Sequence, residues 1–172
     1  MRPIRGSIAM LALLVPLAAA HAAALVITKT SVIVTDTISI ANPKALPGAS
    51  IDYSLMVANP NGLLSGQTFT LVTIKDDIPA NTVFNAADYG ATGRGPIEFT
   101  DGGLLGLLTS GVSLQFKGLD DDGDGVEFWN GVTWRYHPAN GYDPNVKAIR
   151  VTMTGTQAVA SSFRLRFRVK VI

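Results

Sequence analysis

The stretch FRLRFRVKV, Phe163 to Val171, alternates without a break: Phe163, Leu165, Phe167, Val169 and Val171 fall on one side, and Arg164, Arg166, Arg168 and Lys170 on the other. A period of two belongs to a β-strand with one face on a core and the other in water. The same period puts Ile51, Tyr53, Leu55 and Val57 on a core face, and sets Ile149, Val151 and Met153 opposite Arg150, Thr152 and Thr154. No ten-residue stretch beyond the first twenty or so residues carries apolar side chains at helical spacing, so the layered solution is sheet on sheet. The expected fold is all-β, an immunoglobulin-like sandwich of antiparallel strands with only short helical turns.

Turn chemistry agrees. Gly, Asn, Asp or Pro interrupts the Val/Ile/Thr/Phe-rich runs about every ten residues, as strands separated by turns require. Pro47-Gly48 combines a fixed φ with a residue that accepts positive φ, and Pro79 stops the strand that ends at Asp76-Asp77. Asn130-Gly131 predicts a type I′ hairpin flanked by Trp129 and Val132. The glycine-rich stretch from Ala86 to Gly111 predicts a long loop or an irregular strand pair.

Outside these strands the chain opens with Arg2 and Arg5, an apolar run from Ile8 to Ala20 and the small-residue patch Ala20-His21-Ala22. That is the layout of a secretory signal peptide over residues 1–22, helical before cleavage, with the mature start at Ala23 and a single domain over 23–172. The run is shorter than the about 20 apolar residues of a spanning helix, so no transmembrane anchor is expected after cleavage. The expected location is the periplasm, the cell surface or the medium. The whole chain carries 14 basic and 13 acidic residues; loss of Arg2 and Arg5 leaves 12 against 13, a formal charge of −1. A near-neutral protein lacks the basic excess that drives nucleic-acid binding. With no cysteine in the chain, thiol catalysis, disulfides and lipidation at cysteine are excluded.

Several motifs together are similar to a bacterial cell-surface family, the conserved repeat domain known as domain of unknown function eleven. ITKTSVIVTD, then NPKALPGASIDYSLMVAN, then IKDDIPANTVF follow that family's order between Ile27 and Phe84. The Asp/Gly-rich loop, the aromatic hairpin and the closing FRLRFRVKV resemble its C-terminal part. The resemblance implies an immunoglobulin-like sandwich on an exported or surface protein, often in tandem arrays, with no enzymatic activity. This chain shows a single copy.

Four constellations are candidates for function. In Asp120-Asp121-Asp122-Gly123-Asp124-Gly125, the carboxylates of Asp120, Asp122 and Asp124 copy the first half of a calcium loop. The second half is missing, because Gly131 stands where a bidentate Glu belongs. A shorter calcium loop would add the Val126 carbonyl and Glu127; the alternative is a solvated acidic turn. The basic row Arg164, Arg166, Arg168 and Lys170 suits either an anionic glycan or acidic neighbours on adjacent strands. Trp129, Trp134 and Tyr136, with Tyr142 nearby, are candidate glycan contacts, although alternation sends some of them into the core. Lys29 and Asn59 are conceivable partners in an intramolecular isopeptide bond.

Catalysis finds less support. Past the leader the only histidine is His137, and no G-x-S-x-G turn presents a serine. Asp76, Asp77, Asp88 and Glu98 are the acids a paired-carboxylate hydrolase would draw on. The expectation is a non-enzymatic exported protein with a structural or adhesive role, its partners envelope polysaccharide or other surface proteins. The alternative is a carbohydrate-binding or accessory module that uses the aromatics and the acidic loop.

Overall fold

The computed structural model describes residues 23–39, 41–102 and 109–172, so the signal peptide expected over 1–22 lies outside the described residues. Every regular element among them is a strand: β1 (Val26–Thr35), β2 (Ser50–Ala58), β3 (Phe69–Thr70), β4 (Thr73–Asp77), β5 (Thr82–Asn85), β6 (Ile97–Asp101), β7 (Val112–Ser113), β8 (Val126–Trp129), β9 (Tyr142–Asp143), β10 (Ala148–Thr152), β11 (Thr154–Gln157) and β12 (Ser162–Val171). All pairings are antiparallel.

The alternating stretch, β12, is the middle of the first layer. Along one side it pairs with β2, from Ser162 opposite Ala58 to Lys170 opposite Ser50. Its other side is shared, with β6 against Phe163–Phe167 and β5 against Val169–Val171. β1 continues the layer beyond β2, and β9 continues it beyond β5.

The second layer consists of two three-stranded ladders, β4-β10-β8 and β3-β11-β7. β10 and β11 are separated by Met153 alone. Its N–H donates to the Val72 carbonyl at 2.8 Å, and the Thr152 N–H donates to the Gly125 carbonyl at 2.7 Å, so the ladders run on into each other.

Between the layers the oily faces meet as the alternation requires. Phe163, Phe167, Val57 and Val169 are fully buried, with Leu165, Leu55, Phe84 and Ile97 beside them, against Ile74, Val126, Phe128, Ile149, Val151 and Met153 from the second layer. Phe84 joins the two sheets, its ring 5.7 Å from Phe128 and 6.0 Å from Phe167. Each such side chain contributes about 1.5–3 kcal/mol on burial. The all-β sandwich of the sequence reading is the fold found, and Gly48 takes its positive φ of 90° in the expected Pro-Gly turn.

The hairpin expectation at Asn130-Gly131 is corrected. Only Gly131 has positive φ, whereas a type I′ turn needs it at both central residues. Asn130 instead accepts the N–H groups of Val132 and Thr133 on its side-chain Oδ1, both at 2.9 Å, which makes a side-chain-capped turn. After that turn the chain does not continue as a strand; β8 takes β10 as its partner, with Trp129 opposite Ala148.

Candidate functional site

The side chains offered by sequence lie on the two outer faces of the sandwich and on the loops between them. On the outer face of the first layer, the basic row of β12 is almost entirely engaged by neighbours. Arg168 reaches Asp52 of β2 through both Nε (2.6 Å) and Nη2 (3.0 Å), a fork-to-fork pair that fixes orientation as well as charge. Arg166 bonds Glu98 of β6 at 2.8–2.9 Å. Lys170 sits 4.1 Å from the centre of the Tyr142 ring, a cation–π contact, and Arg164 donates to the Thr100 hydroxyl at 3.3 Å.

Tyr89, which the sequence did not single out, ties this face together. Its ring lies 4.7 Å from the Arg166 guanidinium and 5.2 Å from that of Arg168, while its hydroxyl donates to Asp52. Burial and the Asp52 charge push the Tyr89 phenol up to about 12. Burial of Asp52 opposes ionisation, yet the bonds from Arg168 and Tyr89 hold its carboxyl below the usual aspartate range. Beside Tyr89 opens a cleft of about 630 Å³, lined among others by Arg94, Glu98, Phe99, Leu114 and Phe116. No local pattern marks Tyr89, because its partners come from two distant strands, β2 and β12.

On the outer face of the second layer, Trp129 and Trp134 pack against each other with ring centres 5.5 Å apart and planes inclined at 38°. The Arg150 guanidinium lies 4.3 Å from the centre of the Trp134 ring and is fixed by Glu127 at 2.6 Å. Arg135, next in sequence to Trp134, has positive φ (63°) and a well-exposed side chain whose Nε is 3.6 Å from Glu127. The Arg150 bond holds Glu127 below the usual glutamate range, despite the opposing effect of burial. Tyr136 separates from this pair: it packs on the core, donates to Asp143 at 2.8 Å and accepts from Asn145.

The five candidate calcium ligands are not brought together. Asp124 is buried and accepts backbone N–H groups from Lys117, Gly118 and Val126. Asp122 lies 3.2 Å from His137, Asp120 is exposed, and Glu127 belongs to the arginine pairs on the sheet face. The Val126 N–H bonds Asp124 Oδ1 within the same turn. Among the described residues, no three carboxylate or imidazole side chains converge as a metal site.

Lys29 and Asn59 are likewise apart in role. The Lys29 ammonium is 2.8 and 2.7 Å from the two carboxylate oxygens of Asp76 and 4.8 Å from the Tyr53 ring centre. Asn59 gives its amide hydrogens to the carbonyls of Gln67 and Ala158 and accepts from Asn61. The four acids considered for hydrolysis are dispersed: Asp76 with Lys29, Asp77 with Lys75, Glu98 with Arg166, and Asp88 capping the N–H groups of Gly93 and Gly95.

Among the described residues no helix is long and apolar enough to cross a membrane. No protein-family model, curated protein or solved structure matches this chain.

Proposed function

We propose that this protein is an exported, non-catalytic β-sandwich with a structural or adhesive role at or outside the cell envelope, related to the conserved repeat domain that its motifs resemble. The observation that supports this reading most is how the charged side chains of both outer faces are engaged. Asp52 with Arg168, Glu98 with Arg166 and Glu127 with Arg150 clamp neighbouring strands together. Groups that hold strands in register act as struts, which suits a durable surface module. The signal-like leader supplies the route out of the cytoplasm.

Fractionation of cells producing a C-terminally tagged chain tests it. We expect the protein in the periplasm, on the surface or in the medium, with Ala23 as its first residue. Retention in the cytoplasm with Met1 intact contradicts the proposal.

A second reading is favoured by the exposed side of the Trp129–Trp134 pair. Two half-buried indoles beside the exposed guanidinium of Arg135, only loosely paired with Glu127, offer a surface for stacking on a sugar ring, with a donor for its hydroxyl or carboxylate. These are the only two tryptophans of the chain, so intrinsic fluorescence reports this place alone. Saturable quenching by an envelope polysaccharide that Trp134→Ala removes supports the glycan role; unchanged emission across neutral and acidic polysaccharides rejects it.

A further inference from the structure

β1 has one long edge that no other described strand pairs with. It bonds to β2 from Val26 to Thr35 and ends the first layer. Such an edge presents a row of outward N–H and C=O groups, a template for a further strand. The usual protections are few. The strand contains no proline, and its one charged residue, Lys29, is tied to Asp76. The only irregularity lies at the far end, between Ile33 and Thr35. Val26, Ile27 and Val32 are 49%, 50% and 65% exposed, so apolar surface accompanies the open edge on both faces.

The sequence of the edge selects its occupant. Read outward from Thr30, Lys29 mirrors Ser31, Thr28 mirrors Val32 and Ile27 mirrors Ile33. Two copies laid antiparallel about a two-fold axis through Thr30 bring each residue opposite its mirror. Mirror partners are an even number of residues apart, so they share a face, and the core-facing side of one copy continues into that of the other. Ile27 then meets Ile33, and Lys29 meets Ser31 instead of a second Lys29, which avoids like charges across the junction.

We propose that β1 pairs with β1 of a second copy of this chain, with Thr30 on the axis, joining two first layers into one continuous sheet. This rests on the edge itself and not on what either outer face binds.

The chain has no cysteine, so a single introduced thiol reports alone. Directly opposed Cα atoms in an antiparallel pair are about 4.5–5.5 Å apart, within the span a disulfide bridges. Thr30 is exposed, so replacing it leaves the core untouched. Under mild oxidation of the purified protein, Thr30→Cys is expected to become a disulfide-linked dimer. Thr28→Cys, about 13 Å from its own copy along the strand, is expected to stay unlinked until it is mixed with Val32→Cys. By light scattering the unmodified protein should show twice the monomer mass at micromolar concentration. Thr30→Lys, which places two ammonium groups on the axis, should halve that mass with its melting temperature unchanged at high dilution. A protein that stays monomeric, or a dimer in which Thr30→Cys cross-links no faster than Thr28→Cys, overturns the proposal. If Thr30→Lys fails to fold, the cross-linking comparison decides alone.

Discussion

Asp52 shows what a single residue does here. It stands on the outer face of β2, almost buried, and receives Arg168 from β12 and Tyr89 from the loop after β5. Arg168→Ala removes one partner and strands the carboxylate, so a loss of about 2–3 kcal/mol in unfolding free energy is expected by urea titration. Phe167→Ala, which empties a fully buried ring position, should cost about 3–5 kcal/mol, whereas Val132→Ala at an exposed turn should change little. The titration of these groups sets the response to pH. Asp52 and Glu127 have folded-state pKa values below the ordinary 3.8 and 4.5, so the stability they add is present above those values and is lost as pH falls through the folded ones. Tyr89 behaves oppositely, raised from 10.0 to about 12, so its contribution is present below pH 10 and is lost as pH climbs toward 12. The melting temperature should therefore form a plateau through neutrality that falls at both ends, and Asp52→Asn should soften the acid side. A melting temperature that rises on acidification below pH 4 would contradict this. At this scale alternation made the outward direction of Arg166 and Arg168 legible in the sequence. Which acid each one meets was not, because strand neighbours are settled only when the layers assemble.

At the scale of elements, the acidic loop and the strand break beside it go together. Gly125 takes a φ of 83° while a Cβ built on it would lie 2.5 Å from the Thr152 carbonyl oxygen, so the loop enters β8 in close contact with β10. Gly125→Ala should destabilise by at least the about 1–3 kcal/mol of an unfavourable backbone region, read as a lower midpoint in urea. The Asp-x-Asp-x-Asp-Gly spacing serves equally for oxygens aimed at a cation and for carboxylates that cap backbone N–H groups. Sequence left the two open, and the fold directs Asp124 to the second use. Millimolar calcium is accordingly expected to leave the melting temperature unchanged; a rise of several degrees would restore the calcium reading. The turn at Asn130 is ambiguous for a related reason, since Asn-Gly suits both a mirror-image hairpin and a turn capped by the asparagine side chain. β1 falls in one of the Val/Ile/Thr-rich runs that read as strands, yet such a run looks alike on a covered edge and on an open one.

For the molecule as a whole, the most legible property was the two-layer architecture. The period of two in β12, β2 and β10 states which side chains face inward, and apolar faces on several strands have one economical arrangement, stacked against each other. The Tyr89 junction emerged only in three dimensions, because Asp52, Arg166 and Arg168 reach it from segments far apart in the chain, whereas Trp129 and Trp134, five residues apart, already stand together in the sequence. The central claim is that β12 is the hub of the first layer, bonded on both sides and buried along one face. Amide hydrogen exchange of the native protein tests it directly. The amides of Phe163–Val169 are expected to be the slowest in the molecule, exchanging only through global unfolding, with those of the loop around Tyr89 far faster. If β12 exchanges as fast as that loop, it is not the centre of a sandwich and the account fails.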